Sequence, residues 1–213
     1  MPRKPLLLTD EIVYHVYART NNRDFFLDQR KEVWRLMTES LLHYGKEQNV
    51  RFHAFVLMSN HYHLMVSTPE RNLGDFMRNW STNFVRRFNF RFQRENHFFG
   101  GRYKSSYLTT PLSYAHCLKY CLRNPSDAGI CERAEDYPFS TVQENLRRRS
   151  LFPLSEPPQG LAMDFEGLGD EWLSWVNEAY EEWQRESVRR ALQRREFQLA
   201  ADPACRGRKL RGL

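Results

Sequence analysis

No stretch of this 213-residue chain approaches the ~18 consecutive apolar residues of a membrane-spanning helix. The one early apolar run, Leu6 to Leu8, is also far too short for the core of a signal peptide. A soluble, cytoplasmic protein is expected. Cysteine is scarce as well: Cys117, Cys121, Cys131 and Cys205 include no CxxC pair and are too few for a disulfide scaffold, so a reducing compartment is the simpler reading. No internal repeat is present. What the chain does have is 41% hydrophobic and 14% aromatic residues, which supports a packed core despite a mean hydropathy of −0.71. Its length suits one domain of ordinary size.

Charge is missing selectively. Between residues 78 and 104 seven bases (Arg78, Arg86, Arg87, Arg91, Arg94, Arg102, Lys104) face a single acid, Glu95, a surplus equal to the +6 of the whole chain. Between 160 and 184 there are seven acids and no Lys or Arg, whereas residues 185–213 carry nine bases and three acids. A one-signed basic segment points to a polyanionic partner. Pro153, Pro157, Pro158 and Gly160 interrupt any regular element. They divide the chain into residues 1–150, which hold the main domain, and 151–213, a linker, an amphipathic helix and a basic tail.

Periodicity supplies the elements. Residues 11–19 read as a strand; residues 28–47 read as a helix capped by Asp28, with Val33, Trp34, Met37, Leu41 and Tyr44 at helical spacing. Residues 50–58 and 61–67 form an antiparallel hairpin around Ser59-Asn60, and 73–94 a long helix with the stripe Leu73, Phe76, Met77, Trp80, Phe84, Phe88. Residues 103–108 are a short strand, 113–123 a helix stopped by Asn124-Pro125, and 170–197 one amphipathic helix. The order β-α-β-β-α-β-α predicts an α+β, ferredoxin-like antiparallel sheet with helices on one face, plus one further helix and a helical C-terminal extension.

In His61-Tyr62-His63 the two imidazoles project from one face of a strand while Tyr62, Leu64 and Val66 project from the other. They either meet a common cation or are two hydrogen-bonded histidines on a half-exposed strand. Tyr120 and Asn124, at i and i+4, share one helix face. Two imidazoles and an amide oxygen suit Mg²⁺ or Mn²⁺ with positions open for phosphate, and a phenol beside them could attack phosphorus. Alternatively Tyr120 packs on the sheet and Asn124 is a helix C-terminal residue before proline.

Together these residues resemble a known family. Asn60-His61-Tyr62-His63-Leu64 is similar to the His-hydrophobic-His motif of single-tyrosine HUH transposases of the insertion-sequence-200 type, and residues 120–129 (YCLRNPSDAG) to their tyrosine helix. Closer still is the resemblance to the REP-associated tyrosine transposases. It is carried by Tyr14-His15-Val16 with Arg19-Thr20-Asn21-Asn22-Arg23, by Gly101-Arg102-Tyr103-Lys104-Ser105 and by Tyr137-Pro138-Phe139-Ser140-Thr141, and spans about residues 11 to 145. It implies an HUH fold over residues 1–150 and a metal-dependent single-strand DNA endonuclease and strand transferase acting beside hairpins such as REP palindromes. It further implies a 5′-phosphotyrosine intermediate and a free 3′-hydroxyl, with His61, His63 and Asn124 as ligands of Mg²⁺ or Mn²⁺ and Tyr120 as nucleophile. After Asn124-Pro125 the family usually carries valine and a basic residue. Here Ser126 and Asp127 stand instead, which leaves a phosphate contact at that place open.

DNA contacts are expected from Arg19 and Arg23, from the line Arg87, Arg91 and Arg94 opposite the apolar stripe, from Arg102, Tyr103 and Lys104, and from Arg206, Arg208 and Lys209 in a basic arm. Phe98, Phe99 and Tyr103 either stack unpaired bases or pack the sheet. His15 and Arg19 fall by family position near the same sheet edge, His15 as a site residue or a core-edge histidine. The extension helix packs on the main domain or on a second subunit, so monomer and homodimer both stay open. Two rival functions remain: a catalytically silent, domesticated palindrome-binding protein, and a metallohydrolase using the two histidines with water, for which no carboxylate lies at useful spacing.

Overall fold

The computed structural model describes residues 12–26, 29–146, 152–161 and 171–200. Four strands, β1 (Val13–Arg19), β2 (Arg51–Leu57), β3 (His61–Ser67) and β4 (Lys104–Leu108), make one antiparallel sheet in the order β2-β3-β1-β4. The pleat sorts their side chains. Tyr14, Val16 and Ala18 of β1, with Tyr62, Leu64 and Val66 of β3, join one core, whereas Val13 and Met65 join the other. A register shift between Phe52 and Ala54 lets Phe52 and Phe55, three positions apart, enter the same core.

On the first face lie α1 (Arg30–Glu47) and α2 (Leu73–Phe92). The expected stripe of α2 is fully buried, and Trp80 donates its indole N–H to the Met37 carbonyl at 3.3 Å. Val33, Met37 and Leu41 of α1 are buried as expected, with Trp34 and Tyr44 packed at the margin. Asp28, the expected cap, lies outside the described residues.

The second face carries α3 (Pro111–Asp127), which differs from its sequence expectation at both ends. It begins earlier, with Pro111 in its first turn and Thr110 and Ser113 in a reciprocal capping box. It does not stop at Asn124-Pro125 but runs through the proline. Losing one intrahelical bond there costs about 3 kcal/mol, offset by burial of Cys117, Cys121, Leu122 and Pro125 against the sheet. The turn after Pro125 closes through Ala128 N–H to the Asn124 carbonyl and Gly129, at φ +68°, to Ser126. Asn124 thus stands inside a helix, one turn beyond Tyr120.

The extension is likewise not one helix. Glu181, extended at ψ 155°, caps a second segment through a box with Gln184, splitting it into α5 (Glu171–Asn177) and α6 (Glu182–Ala191) after the short α4 (Thr141–Leu146). Val176, Val188, Ala191, Leu192 and Phe197 are buried in the second core and Phe152 in the first, so the described part of the extension packs on this chain's own sheet. Both sheet edges are covered. Tyr107 exchanges backbone bonds with Arg195 and Phe197 beside β4, while Leu57 N–H donates to the Phe139 carbonyl and the Tyr137 hydroxyl to Leu57 O (2.6 Å) beside β2. The aromatic-Ser segment is therefore an edge seal.

Candidate active site

Antiparallel pairing of β1 with β3 sets Tyr17 opposite His63 and Arg19 opposite His61. By the two-residue pleat, His15, Tyr17, Arg19, His61 and His63 all face the side that α3 crosses. The Tyr120 ring meets His63 edge-on, centroids 5.5 Å apart, and the His61 and His63 rings are 5.0 Å apart. His15 stacks on His63 and joins it through Nε2 to Nδ1 at 2.9 Å. These residues line a cleft of about 320 Å³ whose remaining wall is Glu186, Arg189, Leu192 and Gln193. Sequence reasoning missed that wall, because nothing in an amphipathic segment of mixed charge says which of its residues will meet a site more than sixty positions upstream.

Of the sequence-expected residues, the fold gathers His61, His63, Tyr120 and Arg19 into this cleft. Asn124 is not among its described lining residues; it stands one helical turn beyond Tyr120, and its carboxamide favours the ionised phenol. Burial pushes that phenol above its usual range, opposed by the Asn124 carboxamide and by the charge of Arg189. Burial also pushes His61 down to about 4, helped by Arg19, and holds His63 well below the usual histidine range, helped by His61, His15 and Arg19. Both imidazoles are therefore neutral at physiological pH, the form that binds metals. His61 Nδ1 lies 2.9 Å from Asn60 Oδ1, while buried His63 Nε2 has no hydrogen-bond partner. A neutral imidazole pair with one nitrogen left over fits a cation. His15, His63 and Cys121 also bring one potential ligand atom each to within 4.8 Å of one another. A carboxylate does reach the cleft, contrary to the expectation from spacing: Glu186, which is paired with Arg190 at 2.8 Å.

Cations collect at the same end of the sheet. Lys104 Nζ sits 5.7 Å from the Tyr17 ring centroid, and the Arg102 guanidinium 5.2 Å from that of Tyr103. Arg23 is in the turn after β1, whose carbonyl accepts from Asn60 Nδ2. Phe98 is core, packed among Phe26, Phe84 and Phe88, and Phe99 lies against Tyr62, whereas Tyr103 lines a second cleft of about 510 Å³ with Arg78 and Arg102. The arginine line of α2 is not the unpaired face that its one-signed sequence suggests. Arg87 donates to Glu39 at 2.5 Å and Arg91 lies 3.6 Å from Glu32, because α1 lays these acids alongside, and Arg94 lies 4.0 Å from Asp24 in the segment after β1. Asp127, where a base was expected, accepts from Arg123 at 2.9 Å, and Arg123 also donates to the Asn177 carbonyl, tying α3 to α5. Arg206, Arg208 and Lys209 lie outside the described residues.

A four-stranded antiparallel sheet with paired histidines on a central strand and a helix-borne tyrosine over them defines an HUH-type α+β fold. A family model described as "Transposase IS200 like" matches residues 9–121, a span that includes His61, His63 and Tyr120 but ends before Asn124. The chain belongs to the IS200-like transposase family, the single-tyrosine transposases, which are DNA endonucleases. Among solved structures, a REP-associated tyrosine transposase bound to a REP hairpin is similar at TM-score 0.59 and 17% identity, covering 72% of this chain and 89% of that one. A putative transposase from Deinococcus radiodurans has TM-score 0.38 and 17% identity, over 49% of this chain and 82% of that one. No curated protein matches. Among the described residues, no helix is long and apolar enough to cross a membrane.

Proposed function

We propose that this protein cleaves and rejoins single-stranded DNA beside a hairpin of the REP type, through a 5′-phosphotyrosine on Tyr120. The observation that carries the reading is the buried, unpartnered Nε2 of neutral His63 beside the Tyr120 ring, an arrangement a purely structural histidine pair does not need. His61 and His63, with Asn124 within a helical turn of the nucleophile, would hold Mg²⁺ or Mn²⁺, which supplies charge neutralisation at the scissile phosphate. His15 holds the proton of His63 on Nδ1 by accepting it at Nε2, and so keeps the Nε2 lone pair free. Tyr120 Oη attacks phosphorus, the bond from phosphorus to the 3′ oxygen breaks, the phenol proton passes to solvent water, and water returns one proton to the 3′ oxygen, so that the 5′ fragment leaves with a 3′-hydroxyl. Asn124 and Arg189 stabilise the developing phenolate. Rejoining is the reverse attack by a 3′-hydroxyl.

Arg19, Arg23, Arg102, Tyr103 and Lys104 carry the strand across the sheet end. Arg91 and Arg94 reach phosphate only by giving up contacts of 3.6 and 4.0 Å, a small loss for exposed pairs, whereas Arg87 is held more tightly.

The test uses a hairpin oligonucleotide with a single-stranded flank, labelled at either end and resolved by denaturing electrophoresis. Wild-type protein should migrate with the label 3′ of the break and release a 5′ fragment ending in a hydroxyl. Tyr120→Phe, which keeps the ring against His63, should bind the hairpin equally and form no adduct. An adduct from Tyr120→Phe would move the nucleophile to another tyrosine. Binding without any wild-type adduct would favour a silent palindrome-binding protein.

A further inference from the structure

Behind the cleft His15 and His63 meet a third potential ligand, the sulfur of Cys121, which the cleavage chemistry does not use. Cys121 and His15 are fully buried and His63 is 5% exposed. Cys121, next to the nucleophile on α3, brings its sulfur close to His15, and His15 Nε2 lies 2.9 Å from His63 Nδ1. One ligand atom from each residue falls within 4.8 Å of the others. Two imidazoles and a thiol are soft and borderline donors that select zinc-like ions, whereas imidazoles with a carboxamide oxygen suit harder cations.

We propose that His15, His63 and Cys121 form a binding site for a soft divalent metal, of which Zn²⁺ is the type, and that filling it switches cleavage off. The inhibitory half rests on the function proposed above; the binding half does not. A tetrahedral ion with Zn–N bonds of about 2.0–2.1 Å needs the two nitrogens roughly 3.3 Å apart. The present 2.9 Å contact must therefore open by only a few tenths of an ångström. His15 and His63 both line the 320 Å³ cleft, which gives an ion a way in.

Mutual exclusion follows from proton bookkeeping. Neutral imidazole has one N–H and one lone pair. A metal held by His63 Nδ1 requires the proton on Nε2, so the lone pair that faces the cleft is lost. The metal also displaces the thiol proton of Cys121, so one proton is released to solvent per ion bound and no oxidant or reductant is involved. His15 binds through Nε2 with its own proton on Nδ1, the unpartnered nitrogen in this structure.

Co²⁺ is the probe, because a thiolate ligand gives it a near-ultraviolet charge-transfer band. Full-length wild type should show the band and lose it on addition of Zn²⁺. Cys121→Ser should lack it, whereas Cys117→Ser, whose thiol neighbours Cys121, and His61→Ala should keep it. In Mn²⁺ buffer, Zn²⁺ should inhibit wild-type strand cleavage, and Cys121→Ser should need at least about tenfold more. Absence of the band in wild type overturns the proposal whether or not any variant folds, and so does a band that survives in Cys121→Ser or Cys121→Ala. A band that behaves as expected in a protein that never cleaves DNA supports the metal site and counts against the cleavage function instead.

Discussion

Replacing His15 by phenylalanine separates a structural histidine from one that orients a ligand. The substitution keeps an aromatic ring where His15 stacks on His63, centroids 5.2 Å apart, and on Tyr17 at 5.9 Å. It removes only the ring nitrogen 2.9 Å from His63 Nδ1, the acceptor in the proposed tautomer, in a place with no solvent exposure. Two costs follow. A buried N–H left without a partner destabilises the fold by about 1–3 kcal/mol. The proton of His63 is also no longer held on Nδ1, and loss of such an outer hydrogen bond typically weakens metal binding 10–100-fold, about 1.4–2.7 kcal/mol. Cleavage of a labelled hairpin substrate across a Mn²⁺ series, with Mn²⁺ binding followed by electron paramagnetic resonance, separates the two. The Mn²⁺ midpoint should rise at least about tenfold, with the plateau rate largely recovered at saturation and hairpin affinity unchanged. If the melting temperature falls but the Mn²⁺ midpoint stays, His15 is a core histidine and the orienting role is refuted.

Three further outcomes follow. Arg189→Gln should lower adduct formation at neutral pH by roughly 100-fold, the usual worth of one donor to a developing oxyanion, with partial recovery as the pH rises; a pH profile identical to wild type would remove α6 from the chemistry. Arg102→Ala with Lys104→Ala should flatten the log–log salt dependence of hairpin binding by roughly one unit per lost phosphate contact, whereas Arg87→Ala, already neutralised by Glu39, should leave the slope alone. His53, buried with Nδ1 3.0 Å from the Ser155 carbonyl and Nε2 3.0 Å from Ser67 Oγ, is pushed down to about 4 by burial, against the Ser155 bond. Its folded pKa is depressed, so the unfolded chain takes up the proton first and stability falls as pH drops from about 6.5 to about 4, by roughly 3 kcal/mol from this residue. Urea unfolding across that window should show a shallower decline for His53→Gln, and parallel curves would contradict the assignment.

The amino-acid pattern by itself determined the elements of the main domain and the faces they present. Alternation at Tyr62, Leu64 and Val66 sent His61 and His63 to one side, and helical spacing from Leu73 to Phe88 set the buried stripe of α2. These are local consequences of two backbone periods, and they need no knowledge of neighbours. The motif likewise put Tyr120 and Asn124 on one helix face. What that face meets was not legible. The Pro125 signal reads as a stop, yet α3 continues, because burial against the sheet outweighs one missing hydrogen bond. The arginine line reads as one-signed because the acids that neutralise it, Glu32 and Glu39 on α1 and Asp24 after β1, lie some fifty to seventy residues earlier and meet it only through tertiary packing. For the same reason His15 of β1 and Cys121 of α3 became neighbours of His63, and Arg189 of α6 a neighbour of Tyr120, only in the tertiary structure. Hydrogen bonding and charge pairing act over a few ångströms of space and are blind to sequence separation, so the chain's periodicity decides which side a residue faces, and the packing of distant elements decides what it finds there.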